Sequence, residues 1–175
     1  MKSCRRLLLL ISVLMGTMVV LTGCTSDAAI QRLSLAEQSE FYTYRHVMTP
    51  AQERTYLAKA TAAERTAYLS EIGLAQRFQA LDPQDRQTVL SGVPRQGMSA
   101  EALRFIWGEP YYTTGDARRY AHWYYLSSSF GRGRSNYPLG GFGNRVDVYL
   151  VVGKVVGWVD VAPSTEENQG SDARR

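Results

Sequence analysis

Thiol and imidazole side chains are scarce in this 175-residue chain, which holds two cysteines, Cys4 and Cys24, and two histidines, His46 and His122. Cys24 directly follows Leu21, Thr22 and Gly23 at the end of an apolar run. That setting suits acylation of the sulfur, not nucleophilic catalysis. With no other thiol beyond it and only two histidines, Cys/His catalysis and a dense histidine metal site are excluded. His122 lies beside Ser127, Ser128 and Ser129, yet no G-x-S-x-G elbow surrounds them. A structural histidine is the expectation. Glu101 and Glu109 flank a helix end, where capping or solvated roles are the default, so no acid/base work is assigned to them. The chain is expected to be no enzyme and to use no metal and no cofactor.

The elements around Cys24 form an address. Met1 to Arg6 carries Lys2, Arg5 and Arg6, and Leu7 to Leu21 is a 15-residue run without a charge. This is a secretory layout, too short to span a membrane as a helix of about 20 apolar residues. Leu21-Thr22-Gly23-Cys24 resembles a bacterial lipobox, which implies cleavage before Cys24 and lipidation of its sulfur. At about 0.8 kcal/mol per buried methylene, several acyl chains anchor a soluble domain durably. Thr25, in place of an inner-membrane retention aspartate, implies an outer-membrane, periplasm-facing location.

Cleavage would also change the charge. The full chain is +4, with 20 basic and 16 acidic side chains, but three bases leave with residues 1–23, so 17 oppose 16. The basic balance is thus no argument for nucleic acid. Cys4 leaves too, so packing and not a disulfide must hold the fold.

Residues 24–33 read as a tether, 34–95 as a helical region, 96–162 as an α+β domain and 163–175 as a disordered polar tail. Ser34, Thr49, Thr61 and Asp82 each precede a polar or acidic residue three positions on, and Pro50 and Pro83 stand at first helical positions. Three or four short helices follow, with Gly73 and Gly92 as ends. Ser99 then caps a helix whose Leu103, Ile106 and Trp107 form one apolar stripe, with Gly108 as a left-handed stop and Pro110 preventing continuation. Three strands are expected, over 119–126, 145–152 and 155–161, the last two joined through Gly153-Lys154. With Val152 opposite Val155, the pairs Leu150/Gly157, Val148/Val159 and Val146/Val161 share the core face. Val151/Val156, Tyr149/Trp158 and Asp147/Asp160 share the other. Two facing aspartates require a cation, Arg119 or Arg145.

From Gly97 to Val161 the chain resembles the SmpA/OmlA (BamE-like) family. Gly97, Met98, Ser99, Leu103, Gly108 and Pro110 carry the likeness, followed by Trp123, Tyr125 and the Gly153-Lys154-Val155 turn. Trp107 stands where the family usually has Leu, and residues 34–92 have no counterpart in its minimal members. The resemblance implies helices against a three-stranded antiparallel sheet and a scaffold role in envelope assembly, with the β-barrel assembly machinery as a partner.

Two surfaces are candidates for partner binding. Arg132, Arg134, Tyr137 and Phe142 lie among glycines in a long loop that lacks a phosphate-cradle ending, and suit anionic headgroups or a protein. Tyr149 and Trp158, with Tyr124, would form an aromatic outer sheet face; the other use of that face is to receive the helical region, which must bury Phe41, Tyr44, Leu57, Leu69, Phe78 and Leu81. The expected function is a lipid-anchored envelope scaffold or interaction protein acting in outer-membrane protein assembly or envelope maintenance. The alternative is a ligand-binding or sensing lipoprotein without catalysis.

Cys24→Ser is expected to release the chain from membranes or leave it uncleaved. An intact mass of the wild-type protein with Cys24 unlipidated, or with residues 1–23 attached, would overturn the assignment.

Overall fold

A computed structural model describes residues 25–116, 118–126 and 145–161. Cys24, the segment 127–144 with Arg132, Arg134, Tyr137 and Phe142, and the tail 163–175 lie outside the described residues. The helices are α1 (Thr25–Gln31), α2 (Leu35–Tyr44), α3 (Pro50–Ala58), α4 (Ala62–Glu71), α5 (Leu74–Gln79), α6 (Pro83–Ser91) and α7 (Ala100–Trp107), with a 3-10 turn at Arg45–Val47. One antiparallel sheet follows in the order β1 (Tyr112–Asp116), β2 (Tyr120–Leu126), β3 (Arg145–Val151) and β4 (Lys154–Val161). The fold is α+β, with four strands where three are expected.

Local capping chemistry sets the helix starts. Ser34 with Glu37, Thr49 with Gln52 and Thr61 with Glu64 form reciprocal capping boxes, and Asp82 accepts the Asp85 N–H at 2.8 Å. Gly73 and Gly92 both adopt left-handed conformations, at φ 78° and 68°. The expected tether at Thr25 to Gln31 is instead α1, which packs against α3. Ile30 within it and Leu33 just beyond its end are both buried.

Helix α7 sits between the other helices and the sheet. Its Phe105 meets Tyr44 of α2 and Phe78 of α5 in a ring of three edge-on contacts, at 6.0, 5.9 and 5.8 Å. On the sheet side, Trp107 meets Tyr125 at 5.4 Å and Trp158 at 6.1 Å. The helix therefore buries two sides instead of the single expected stripe, and residues 34–95 share one core with 96–161. At its end Gly108 has φ 80° and ψ −164°, positive in φ as a glycine stop requires but extended in ψ. Any Cβ there would also press to 3.2 Å from the His46 carbonyl oxygen.

A buried carboxylate ties the helices to this centre. Asp85, 1 % exposed, accepts from Arg95 Nη2 at 2.7 Å and from the Ser99 backbone N–H at 2.9 Å. Ser99 in turn caps α7 by accepting the Ala102 N–H at 3.2 Å. The preceding residues run along β4: the Gly97 N–H donates to the Val155 carbonyl at 2.7 Å and the Val155 N–H to the Met98 carbonyl at 2.9 Å. Gly97, Met98 and Ser99 are thus a splice between sheet and helix. A buried cation, Arg65, pairs with Glu37 and joins α4 to α2.

The hairpin differs from the expected register. Its turn is Val152-Gly153, both at positive φ (48° and 70°), and Val151 faces Lys154. A bulge between Tyr149 and Leu150 then leaves Val156 unpaired, so Val148 faces Trp158 and Asp147 faces Val159. The expected Asp147/Asp160 pair does not form. Asp147 nevertheless has its cation, since Arg145 donates to both carboxylate oxygens at 2.6 and 3.0 Å. Strand β1 is absent from the expectation because five residues containing Gly115 show too little alternation. Gly115 is required there: at φ 79°, a Cβ would collide with the Tyr120 carbonyl oxygen.

Asp85→Asn is expected to cost about 2–3 kcal/mol by removing the charge that faces a half-buried arginine, on the order of 5–10 °C in melting temperature. An unchanged melt would show that the carboxylate is dispensable. Hydrogen bonds from Ser34, together with the Arg65 guanidinium, hold the Glu37 carboxyl down at about 2, against an ordinary 4.5. Its contribution is complete above pH 4.5 and is lost as pH falls from there toward 2. Glu37→Gln should flatten the decline of melting temperature across that window, and an identical decline in both proteins would contradict the pairing.

Candidate protein-interaction surface

Alternation in β2 and β3 sends Ala121, Trp123, Tyr125, Val146, Val148 and Leu150 into the core. The intervening residues face outward. There Tyr112, Tyr124, His122 and Tyr149 form a continuous row across three strands: Tyr112 to Tyr124 at 5.5 Å, Tyr124 to His122 at 4.2 Å and His122 to Tyr149 at 4.4 Å. The last pair is stacked, with 22° between ring planes. Cross-strand pairing dictates the row, because Tyr112 lies opposite Tyr124 and His122 opposite Tyr149.

Arg145 and Asp147 place a charged pair at one corner of this face. The Arg145 guanidinium lies 5.3 Å from the Tyr124 ring centroid while its two hydrogen bonds hold Asp147, which is 5 % exposed. His122 Nε2 stands 3.5 Å from an Asp147 oxygen. Asp147 pushes the Arg145 pKa up further, and the pair presents a fixed fork. Around the row, Tyr112, Tyr120, Val151, Val156 and Val159 remain between 41 % and 57 % exposed. An antiparallel sheet with one solvated face normally turns polar residues outward. This face is aromatic and aliphatic instead.

The helices do not claim it. Helices α2 and α6 and the 3-10 turn pack against α7 on the other side of the sheet. Phe41, Tyr44, Leu69, Phe78 and Leu81 are buried in that shared core, with Leu57 partly buried against it. Of the two expected outer-face residues, Tyr149 is in place. Trp158 is not: the bulge at Val156 shifts the parity of β4, so its ring faces the core and packs edge-on against Trp107.

The remaining residues singled out from the sequence are structural or engaged elsewhere. Met98 is fully buried, Ser99 caps α7, Gly97 and Gly108 take positive φ, and Pro110 is half-buried between α7 and β1. Glu101 pairs with Arg77 at 2.7 Å and Glu109 with Arg104 at 2.9 Å, while Arg104 covers Trp123 at 4.5 Å. Among the described residues, no three His, Cys, Asp or Glu side chains gather to hold a metal, and no helix is long and apolar enough to cross a membrane. Tyr112 and Tyr120 went unnoticed in the sequence; the alternation of Tyr120, His122 and Tyr124 with Ala121, Trp123 and Tyr125 was the available signal.

No family model, curated protein or solved structure matches this chain.

Proposed function

We propose that the protein is a non-enzymatic, lipid-anchored scaffold of the bacterial outer membrane that binds another envelope protein through the outer face of its sheet. The observation that carries the proposal is the aromatic row with its aliphatic surround, on a sheet whose opposite face is already filled by α7. Contiguous exposed apolar surface of this kind marks protein interfaces, where aromatic residues and arginine supply most of the binding energy. The Cys24 site supports attachment through lipid, and the SmpA/OmlA-like segment supports a place in outer-membrane protein assembly or envelope maintenance. The loop arginines Arg132 and Arg134, with Tyr137 and Phe142, are assigned to the same partner or to anionic headgroups beside it.

Co-purification from gently solubilised membranes tests the proposal. The wild-type chain is expected to carry a stoichiometric β-barrel or lipoprotein partner, and Tyr120→Ser with Val159→Thr to reduce its recovery about tenfold, as loss of roughly 1.4 kcal/mol implies. Both positions are half-exposed, so the melting temperature should hold. Recovery of the same partner at wild-type yield from the double variant would remove the outer face from the function.

A further inference from the structure

Among the described residues Val152 alone, glycines aside, has a positive φ, 48°, in the turn between β3 and β4. A β-branched side chain resists that conformation, and a turn with two positive φ values ordinarily carries asparagine or aspartate before its glycine. Nothing within the chain offsets the strain through this side chain, which is 70 % exposed and stands outside the packed core. The backbone, by contrast, is held from both sides. The Val152 N–H donates to the Arg119 carbonyl at 3.0 Å, and the Gly153 carbonyl accepts the Ala100 N–H of α7 at 2.8 Å. These bonds fix where the side chain stands, and asparagine would satisfy them equally. Strain kept at an over-determined, exposed position points outside the molecule.

Val152 prolongs the outer face. Val151 beside it lies opposite Tyr120, and both are exposed, so the three side chains form an apolar tip at one end of the sheet. The β1–β2 turn flanks this tip with Arg118 and Arg119, both exposed and, among the described residues, without a carboxylate partner. Asp116, at the start of that turn, accepts the Arg118 N–H at 2.9 Å, and Lys154 lies 3.6 Å from Asp82. The β1–β2 turn therefore sets two cations against one anion beside the tip. A bilayer is a soft acceptor, for which unstrained Val151 or Tyr120 would serve as well as Val152. Only a partner of fixed shape rewards the placement that a locked turn gives.

We infer that Val152 is an anchor of the partner interface, received by an apolar pocket whose rim carries acidic side chains opposite Arg118 and Arg119. The inference rests on the protein-binding reading of the outer face and adds to it the chemistry of the partner. Rim charges of this kind govern the rate and salt dependence of association, while the buried side chain governs dissociation.

The probe is the protein recovered with the wild-type chain, purified and returned to each full-length lipidated variant in neutral detergent. Val152→Asn relieves the strain and removes the apolar contact, so it should raise the melting temperature by roughly 3–5 °C while weakening binding about tenfold. A merely structural residue does not give opposite signs. Val152→Thr keeps the branched shape and should weaken binding with no gain in stability. Arg118→Ala with Arg119→Ala should slow association and flatten its salt dependence. Wild-type affinity in both Val152 variants, beside a loss in Tyr120→Ser with Val159→Thr, would overturn the inference and leave the outer face in its role. A wild-type chain that carries no partner would overturn both. Val152 variants that bind the partner normally, yet lose hydrogen-exchange protection of residues 145–161 on phosphatidylglycerol vesicles, would assign the tip to a lipid surface and overturn the inference as well.

Discussion

One buried carboxylate sets the relation between the two halves of this protein. Asp85 belongs to α6, the last helix of the first half, yet it receives the backbone N–H of the residue that caps α7 and the guanidinium that follows α6 in sequence. Neither donor is optional once buried, because an unpaired charge or amide in that setting costs far more than the pair contributes. Lys154, at the start of β4, lies 3.9 Å away and brings the sheet into the same electrostatic neighbourhood. A shift of α6 by one residue would leave three elements with unmet partners. Orientation of α7 follows from this anchor, and from α7 follow both the aromatic contacts behind it and the sheet in front.

Much of the helical architecture was legible in the sequence because its signals are local. Ser34, Thr49, Thr61 and Asp82 lie within four residues of the groups they satisfy, and Gly73 and Gly92 declare helix ends by the conformation only glycine takes easily. Burial of α7 on two sides was harder to read, since Phe105 has no partner closer in sequence than Phe78. Helix α1 was missed because Ile30 is its one large apolar residue, which makes a weak pattern. Its stability comes from packing on α3, which no local signal announces.

The sheet shows how a single residue separates a correct reading from a wrong one. Counting outward from Val146, Val148 and Leu150 places Tyr149 on the open face, and it is there. The same counting along β4 fails at Val156, where the bulge inserts a residue and exchanges inside for outside. Trp158 thereby leaves the partner surface for the core and Val159 takes an outward place, while Val156 is outward as expected. The turn carries a further sign of this conflict. Val152 sits at φ 48°, a conformation that β-branched residues avoid, because pairing of Val151 with Lys154 leaves only Val152 and Gly153 to reverse the chain.

The triangle of Tyr44, Phe78 and Phe105 bears on how the chain reaches this state. The first two rings are synthesised well before the third, and until Phe105 arrives the helices carrying them lack the side chain that closes their common core. Contacts this distant along the chain slow folding, because loop closure comes before any gain from packing. The first half would therefore persist as capped but loosely associated helices while the rest is made. Such a delay defines an interval in which the tyrosine and phenylalanine rings of the first half stay exposed, the condition under which partly folded chains associate wrongly.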